Sequence, residues 1–175
     1  MRRLLLIALC LCSGAAQAES GSETAGTAVA VALPLAAAGI AAYKSDWNGV
    51  VDLGLTTIAT VGTAYALKQI VKERRPDGSD YQSFPSDTTA LAASGSSFLW
   101  ARYGWQYGLP AFAATSFVSW SRVNAKQHHW YDTAASSVLA IGFSALFTPR
   151  FNKYHIYSEL DPAPGGGVIR LTYNY

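Results

Sequence analysis

The chain has 175 residues, 13 Lys and Arg against 11 Asp and Glu, and a formal net charge of +2. That length suits one domain with a modest core, and a near-neutral chain without a clustered basic face excludes a nucleic-acid footprint. Both cysteines, Cys10 and Cys12, lie in the first eighteen residues, so the rest of the chain has no disulfide framework and no thiol chemistry.

Those first residues read as a signal peptide. Arg2 and Arg3 precede the apolar run Leu4–Cys12, and Ala16-Gln17-Ala18 fits a small-residue cleavage site. Cleavage is expected before Glu19, and export to a bacterial periplasm follows. Residues 19–153 then form a helical domain and 154–175 a tail.

Glu19–Gly26 is small and polar and reads as a loose N-terminus. Thr27–Tyr43 is Ala-rich and apolar, a helix kinked or restarted at Pro34. Lys44–Asn48 is a turn. Gly49–Val71 is a second helix, interrupted by Asp52, that delivers Lys68 and Arg75 at its end before Pro76 stops it. Asp77–Phe84 is a polar loop, and Ser86 or Asp87 caps a third helix, Thr88–Arg102. Gly104–Pro110 breaks the chain again. A fourth helix, Ala111–Trp120, leads into Ser121-Arg122, and a fifth runs from Trp130 to Phe147. Tyr154–Leu160 and Val168–Tyr175 alternate around a turn-rich DPAPGGG, which reads as a β-hairpin. The fold class is all-α: a compact bundle of about five to six helices with a short C-terminal hairpin.

A spanning helix needs roughly 20 apolar residues. Thr27–Tyr43 falls short and holds Pro34, Gly49–Leu67 carries Asp52, and Thr88–Trp100 and Thr133–Phe147 are short and rich in Ser and Thr. The runs read as buried core helices in preference to spanning ones. If they do span, Lys44, Arg102, Arg150 and Lys153 at one end fit cytoplasmic placement.

The chemistry gathers around Ser121–Asp132, SRVNAKQHHWYD. If the chain is helical from Trp130, His128 and Asp132 share a face, and a carboxylate there can fix the imidazole tautomer and free its other nitrogen to attack. The plain alternative is a helix start with a solvated His and Asp. His129, one position off, points elsewhere. If neighbouring helices are antiparallel, the end of the second and the start of the third meet the end of the fourth and the start of the fifth. Arg75 and Arg122 then offer guanidinium forks to an anion, Lys68 a point charge, and Ser86 a hydroxyl and an N–H at a helix N-terminus.

The order Lys68-x6-Arg75-Pro76, then Pro85-Ser86, then Ser121-Arg122-x5-His128-x3-Asp132 resembles the type 2 phosphatidate phosphatase and vanadium haloperoxidase superfamily. The first and third motifs match at every signature position. The second departs: Asp87 and Thr88 stand where the family pattern has Gly and His. The resemblance implies a phosphatase for a phosphate monoester or pyrophosphate, lipid-linked ones included. It implies His128 as nucleophile through a phosphohistidine, Asp132 orienting it, and neither metal nor cofactor. It leaves membrane association open. The family's acid is missing: Thr88 cannot protonate a leaving oxygen near neutral pH, and Asp87 can only if protonated, which surrounding cations oppose. Three rivals stand beside this reading: an impaired homologue that binds phosphate or a lipid headgroup, a vanadate-dependent haloperoxidase, and a purely structural helical protein.

Overall fold

The computed structural model describes residues 21–151 with their side chains and, beyond them, the backbone of 155–163 and 166–174. The expected signal peptide lies outside the described residues. Five helices make the bundle: α1 (Gly21–Tyr43), α2 (Trp47–Ile70), α3 (Asp87–Tyr103), α4 (Trp105–Asn124) and α5 (Trp130–Phe147). The all-α expectation holds for them. The tail backbone runs as β1 (His155–Ala163) and β2 (Gly166–Asn174); the hairpin remains an expectation, because the side chains that would pin it are not among those described.

Helix α3 is the axis and packs against each of the other four helices. Its sequence explains this. Ala90, Ala92, Ala93, Ser94, Gly95, Ser96 and Ser97 are all buried, so neighbouring backbones approach closely. At Gly95 an added Cβ would lie 2.8 Å from the backbone nitrogen of Pro34. The chain was expected to kink or restart at Pro34. Instead α1 is one helix from Gly21 to Tyr43, and Pro34 sits against the glycine of α3. Two further boundaries move. The stretch 19–26, expected loose, is helical from Gly21 onward. The break expected over Gly104–Pro110 shrinks to Gly104, at φ +96°, and α4 runs through Pro110.

Large apolar side chains mostly face outward and small or hydroxyl-bearing ones face inward. Ile58, Ile70 and Leu146 are three-quarters exposed, while Thr56, Thr60, Ser96, Ser121 and Ser136 are fully buried. Most of the buried hydroxyls find a partner within the bundle, Ser144 Oγ being an exception. Ser96 Oγ and Thr115 Oγ1 share a hydrogen bond of 2.8 Å between α3 and α4, and Ser97 Oγ donates to the Ala93 carbonyl at 2.6 Å. The core-helix expectation therefore does not describe α1 and α2. Both are long and apolar enough to cross a membrane, and only 28% and 22% of their most apolar stretches are buried.

One buried ionic cluster closes the end where α1 meets α2. Arg102 donates from Nε and Nη2 to both oxygens of Asp46, at 2.8 and 2.6 Å, and from Nη1 to the Pro149 carbonyl at 2.8 Å. Tyr103 donates to the same carboxylate at 2.8 Å, and Asp46 caps α2 by accepting from Gly49 N at 2.9 Å. Lys44 lies over the rings of Tyr103 and Tyr107 nearby. Removing one partner of a buried pair leaves the other charge stranded, which costs about 3–5 kcal/mol. Arg102 Nη1 also lies 3.3 Å from Asp52 Oδ2, so Asp46→Ala is expected to lower unfolding stability by up to that amount. Lys44→Ala, which removes only cation–π contacts, is expected to cost no more than about 1 kcal/mol. Denaturant unfolding of the full chain in detergent checks both.

Candidate active site

The opposite end of the bundle collects the residues singled out in the sequence. The last turn of α2 delivers Lys68, only 4% exposed. Its ammonium lies 3.1 Å from Asp87 Oδ1 at the start of α3. Ser86 caps α3: its hydroxyl accepts from Thr89 N at 3.3 Å and donates to Thr89 Oγ1 at 3.1 Å. Its backbone N–H points at the Asp132 carbonyl, 3.5 Å away, and its carbonyl accepts from Ser136 Oγ at 2.7 Å. Ser86 thus joins α3 to α5 with its own polar groups engaged.

The loop between α2 and α3 folds back on itself and on the α4–α5 loop. Ser83 N donates to the Glu73 carbonyl at 3.0 Å, Arg75 N to the Asp80 carbonyl at 3.0 Å, and Asp77 N to the Lys126 carbonyl at 3.0 Å. This brings Ser83 against His128. Nδ1 of His128 is 2.7 Å from the Ser83 carbonyl oxygen and 3.6 Å from Asp132 Oδ2. The shorter contact is a hydrogen bond and the longer is not. A carbonyl only accepts, so Nδ1 carries the proton and Nε2 keeps its lone pair. Asp132 was expected to orient His128 by itself. The geometry gives that hydrogen bond to Ser83 and makes Asp132 the support of Ser83, whose hydroxyl donates to Asp132 Oδ2 at 2.5 Å. The same oxygen accepts from His129 N at 2.8 Å.

Both carboxylates at these helix starts are held ionised. Burial works to raise Asp132, but His128, the Ser83 hydroxyl and the His129 N–H outweigh it and hold the carboxyl below its ordinary range. Burial also works to raise Asp87. The charge and hydrogen bond of Lys68, followed by the nearby His128, keep it below its ordinary range as well. A carboxyl held that low has no proton to give at neutral pH.

The two arginines flank this centre. Arg75 Nε donates to Asp80 Oδ1 at 2.8 Å. Arg122, 3% exposed, has Nη1 3.7 Å from Glu23 Oε1 and 3.4 Å from Gln127 Oε1, while Nη2 donates to the Glu23 carbonyl. Glu23 belongs to α1, in the stretch expected to be loose. The contact has a geometric cause: at Gly26 a Cβ would lie 2.0 Å from Ser121 Oγ and 3.2 Å from Arg122 Nη2, so the first turns of α1 lie directly on the end of α4. Direct bonds thus join Lys68 to Asp87, and Ser83, Ser86, His128 and Asp132 to one another. Arg75 and Arg122 lie on the adjoining segments, each turned to a carboxylate.

His129 was expected to point elsewhere, but its Nδ1 lies 3.4 Å from both Asp132 Oδ2 and Ser83 Oγ, with a third of the side chain exposed. Its ring stacks on Tyr131 with centroids 4.9 Å apart, and Nδ1 is 3.9 Å from Glu73 Oε1. Glu73, His129 and Asp132 bring metal-ligating atoms within 4.8 Å of one another. Protein donors already serve the carboxylates of that group, the Tyr131 hydroxyl on Glu73 and two donors on Asp132 Oδ2. Sequence reasoning missed Ser83, Glu23 and Gln127. Ser83 works mainly through its carbonyl, which every residue type has, so no residue-type signal marked it.

Residues 49–156 match the profile of the PAP2 superfamily, which is more than half of the 175 residues. A lipid A 4'-phosphatase of Helicobacter pylori is 29% identical over 141 residues, covering 73% of this chain and 71% of that protein. The crystal structure of Aquifex aeolicus LpxE aligns with a TM-score of 0.54 at 16% identity, over 69% of this chain and 83% of that one, which is a likeness of fold.

The Ser83 hydroxyl separates support from chemistry. Ser83→Ala keeps the carbonyl that His128 uses and removes one donor from the buried Asp132 carboxylate. A lost hydrogen bond to a charged, buried group costs about 1.5–3 kcal/mol. The variant is expected to unfold that much more readily and to show a raised Asp132 pKa. Unfolding curves at neutral and acid pH check this. A group whose folded pKa is depressed stabilises above its ordinary value of 3.8 and loses that stability as pH falls through the folded value. The wild type should therefore hold its stability further into acid than Ser83→Ala.

Proposed function

We propose a function from one premise: the chain belongs to the PAP2 superfamily. It is an exported phosphatase that cleaves a phosphate monoester or pyrophosphate on a lipid, through a phosphohistidine at His128. The observation that carries this reading is the 2.7 Å contact between His128 Nδ1 and the Ser83 carbonyl. It leaves the Nε2 lone pair for attack, on an imidazole that also feels the charge at Asp87 beside Lys68.

In the proposed reaction Nε2 attacks phosphorus. An N–P bond forms, the P–O ester bond breaks, and its electron pair leaves on the alkoxide, which takes a proton from water. A second water then attacks phosphorus, the N–P bond breaks, and phosphate departs from a restored His128. Lys68, Arg75 and Arg122 hold the phosphoryl oxygens as charge builds on them. Ser86 keeps the N-terminus of α3 turned to the same place. Asp132 holds Ser83 and, at 3.6 Å from Nδ1, favours the positive charge that develops on the ring.

A lipid substrate suits the surroundings. A groove of about 250 Å³ between α1, α2 and α3 is lined by Thr27, Ala30, Val31, Val61 and Leu91, and it ends at Asp87 and Thr88. An acyl chain fits its apolar length, with the phosphate at the polar end. In this reading α1 and α2 cross the membrane. The short connection at 44–46 makes them antiparallel, so the start of α1 and the Lys68 end of α2 share a side. With an exported N-terminus that side is periplasmic, and Lys44, Arg102 and Arg150 face the cytoplasm, in keeping with the positive-inside rule. The relative named a lipid A 4'-phosphatase supports a phosphate on a lipid as the substrate class.

A second reading is a homologue that binds phosphate without turning it over, favoured by Thr88 and an ionised Asp87 in the second motif. The two are separated by assaying the full chain in detergent with p-nitrophenyl phosphate, an alkyl phosphate and a lipid phosphate. Lacking a general acid typically costs about 10²–10⁴-fold, so the activated aryl ester is expected to outpace the alkyl phosphate by a ratio in that range. His128→Ala is expected to abolish turnover, by on the order of 10³-fold or more, and radiolabelled substrate should leave an acid-labile, alkali-stable label on the wild type alone. Turnover that survives the substitution sinks the nucleophile. Phosphate binding without turnover selects the second reading.

A further inference from the structure

Each cation of the proposed phosphate pocket faces a carboxylate of this chain: Lys68 with Asp87, Arg75 with Asp80, and Arg122 with Glu23. The first pair alone joins a deeply buried cation to an exposed carboxylate, since Arg75 and Asp80 are 18% and 44% exposed and Arg122 and Glu23 are 4% and 12% exposed. The Lys68 side chain is 5% exposed while that of Asp87 is 49% exposed. The cation is fixed in the protein, and its partner reaches it from the solvent side. A buried ammonium without a counter-anion is costly, so the empty pocket needs this carboxylate. A phosphoryl group bound to Lys68 needs the same ammonium.

We infer that Asp87 is a specificity-determining residue, a built-in anion whose carboxylate occupies the phosphate's place on Lys68 and must be displaced before a phosphate ester can bind. The inference rests on the reading above that Lys68 belongs to the phosphate pocket. It also gives the departure in the second motif a physical role. A glycine at position 87 would leave Lys68 free for substrate. An aspartate sets a threshold that an incoming anion must exceed. A phosphate carried on an acyl chain has the adjoining groove to draw on, whose lining includes Val31, Val61 and Leu91 next to Asp87. Free inorganic phosphate has only its charge. The pocket is thereby kept from filling with product or with ambient phosphate.

Displacement is sterically open. Asp87 is the first residue of α3, its Oδ1 also accepts from Thr88 N at 3.0 Å, and the side chain borders the groove rather than the core. The charged and titratable groups that face it are Lys68 from α2 and His128 from the α4–α5 loop. The α1 residues that line the groove beside it are Thr27, Ala30 and Val31.

The test is calorimetric titration of inorganic phosphate into the full chain in detergent at pH 7.5, which does not depend on turnover. Asp87→Asn keeps the side-chain size and the bond from Thr88 N but removes the charge. It is expected to bind phosphate about tenfold more tightly than the wild type, with a matching fall in KM for p-nitrophenyl phosphate and no matching fall in kcat. A second variant, Asp87→Ser, which also suits a helix start, is expected to do the same. In a Lys68→Gln background, Asp87→Asn is expected to bring no gain, because the competition runs through the ammonium. Thermal unfolding of each variant verifies the fold. If Asp87→Asn and Asp87→Ser bind phosphate no better than wild type while Arg122→Ala binds it less well, the inference is overturned and the pocket stands. A gain that persists without Lys68 also overturns it. If neither wild type nor Asp87→Asn binds phosphate, the inference and the pocket fall together.

Discussion

The site depends on one hydrogen bond, from His128 Nδ1 to the Ser83 carbonyl. It joins a loop that leaves α2 to a loop that leaves α4, segments 45 positions apart in the chain. Around it the other ties make sense. Ser83 holds Asp132 by its hydroxyl, Asp132 caps the start of α5 through His129 N, and Ser136 of α5 bonds the carbonyl of Ser86 that starts α3. Such a network is stiff only if its members are satisfied, since a half-satisfied buried network is worse than an apolar one. Among the described residues Asp132 Oδ1 is the one site atom buried without a hydrogen-bond partner. A carboxylate kept ionised with an oxygen unquenched leaves negative potential beside the imidazole. In the reaction proposed above, that suits a ring which bears positive charge while its other nitrogen is bonded to phosphorus.

The bundle around this clasp is built with its polarity reversed from that of a water-soluble helix. Interior contacts are made mainly by Ala, Gly, Ser and Thr, with Leu53, Phe98, Leu99 and Val118 among them, and bulky residues such as Leu35, Ile58 and Leu146 lie outside. Small side chains let α3 touch all four neighbours, and their hydroxyls bond to the preceding turn or across to the next helix. This packing carries the close approach that a membrane-embedded bundle relies on, where burying apolar surface gains nothing over lipid. Among the described residues charge gathers toward the two ends: the Arg102–Asp46 cluster at one, the group around Lys68, Asp87 and Asp132 at the other.

How much of this could be read in the sequence follows from the same chemistry. α5 runs from Trp130 to Phe147 as expected, and α2 and α3 differ by a residue or two; Ser86 and Trp130 sit at sharp local signals, whereas α2 ends at Ile70, so Pro76 does not stop it and Arg75 lies in the loop beyond. The gathering of Lys68, Ser86, His128 and Asp132 at one end followed from antiparallel neighbours alone. The start of α1 was not legible. Gly21–Gly26 has the composition of a loose terminus, and it becomes helix because Gly26 admits Ser121 and Glu23 meets Arg122, 99 positions away. Pro34 and Pro110 were read as breaks, yet both lie within helices, since packing at sites such as Gly95 outweighs one missing N–H. The length of α1 was misjudged for a related reason: with six residues lost from its start, it looked too short to span.

The second motif then stops being a defect to be explained away. The proposed pocket draws on Lys68 and Arg122, both almost wholly buried, and such cations need counter-charges because an uncompensated buried cation is costly. Three carboxylates from three different segments meet that need, and only Asp87 does so from a position open to solvent and next to the groove. The proton donor that Thr88 cannot supply and the free cation that Asp87 takes away are therefore linked. Both move the site toward substrates whose leaving group needs little help and whose affinity comes from somewhere other than the phosphate. A phosphate held at the end of an acyl chain meets the second condition. In the proposed reaction the first favours an ester whose departing oxygen is a good leaving group.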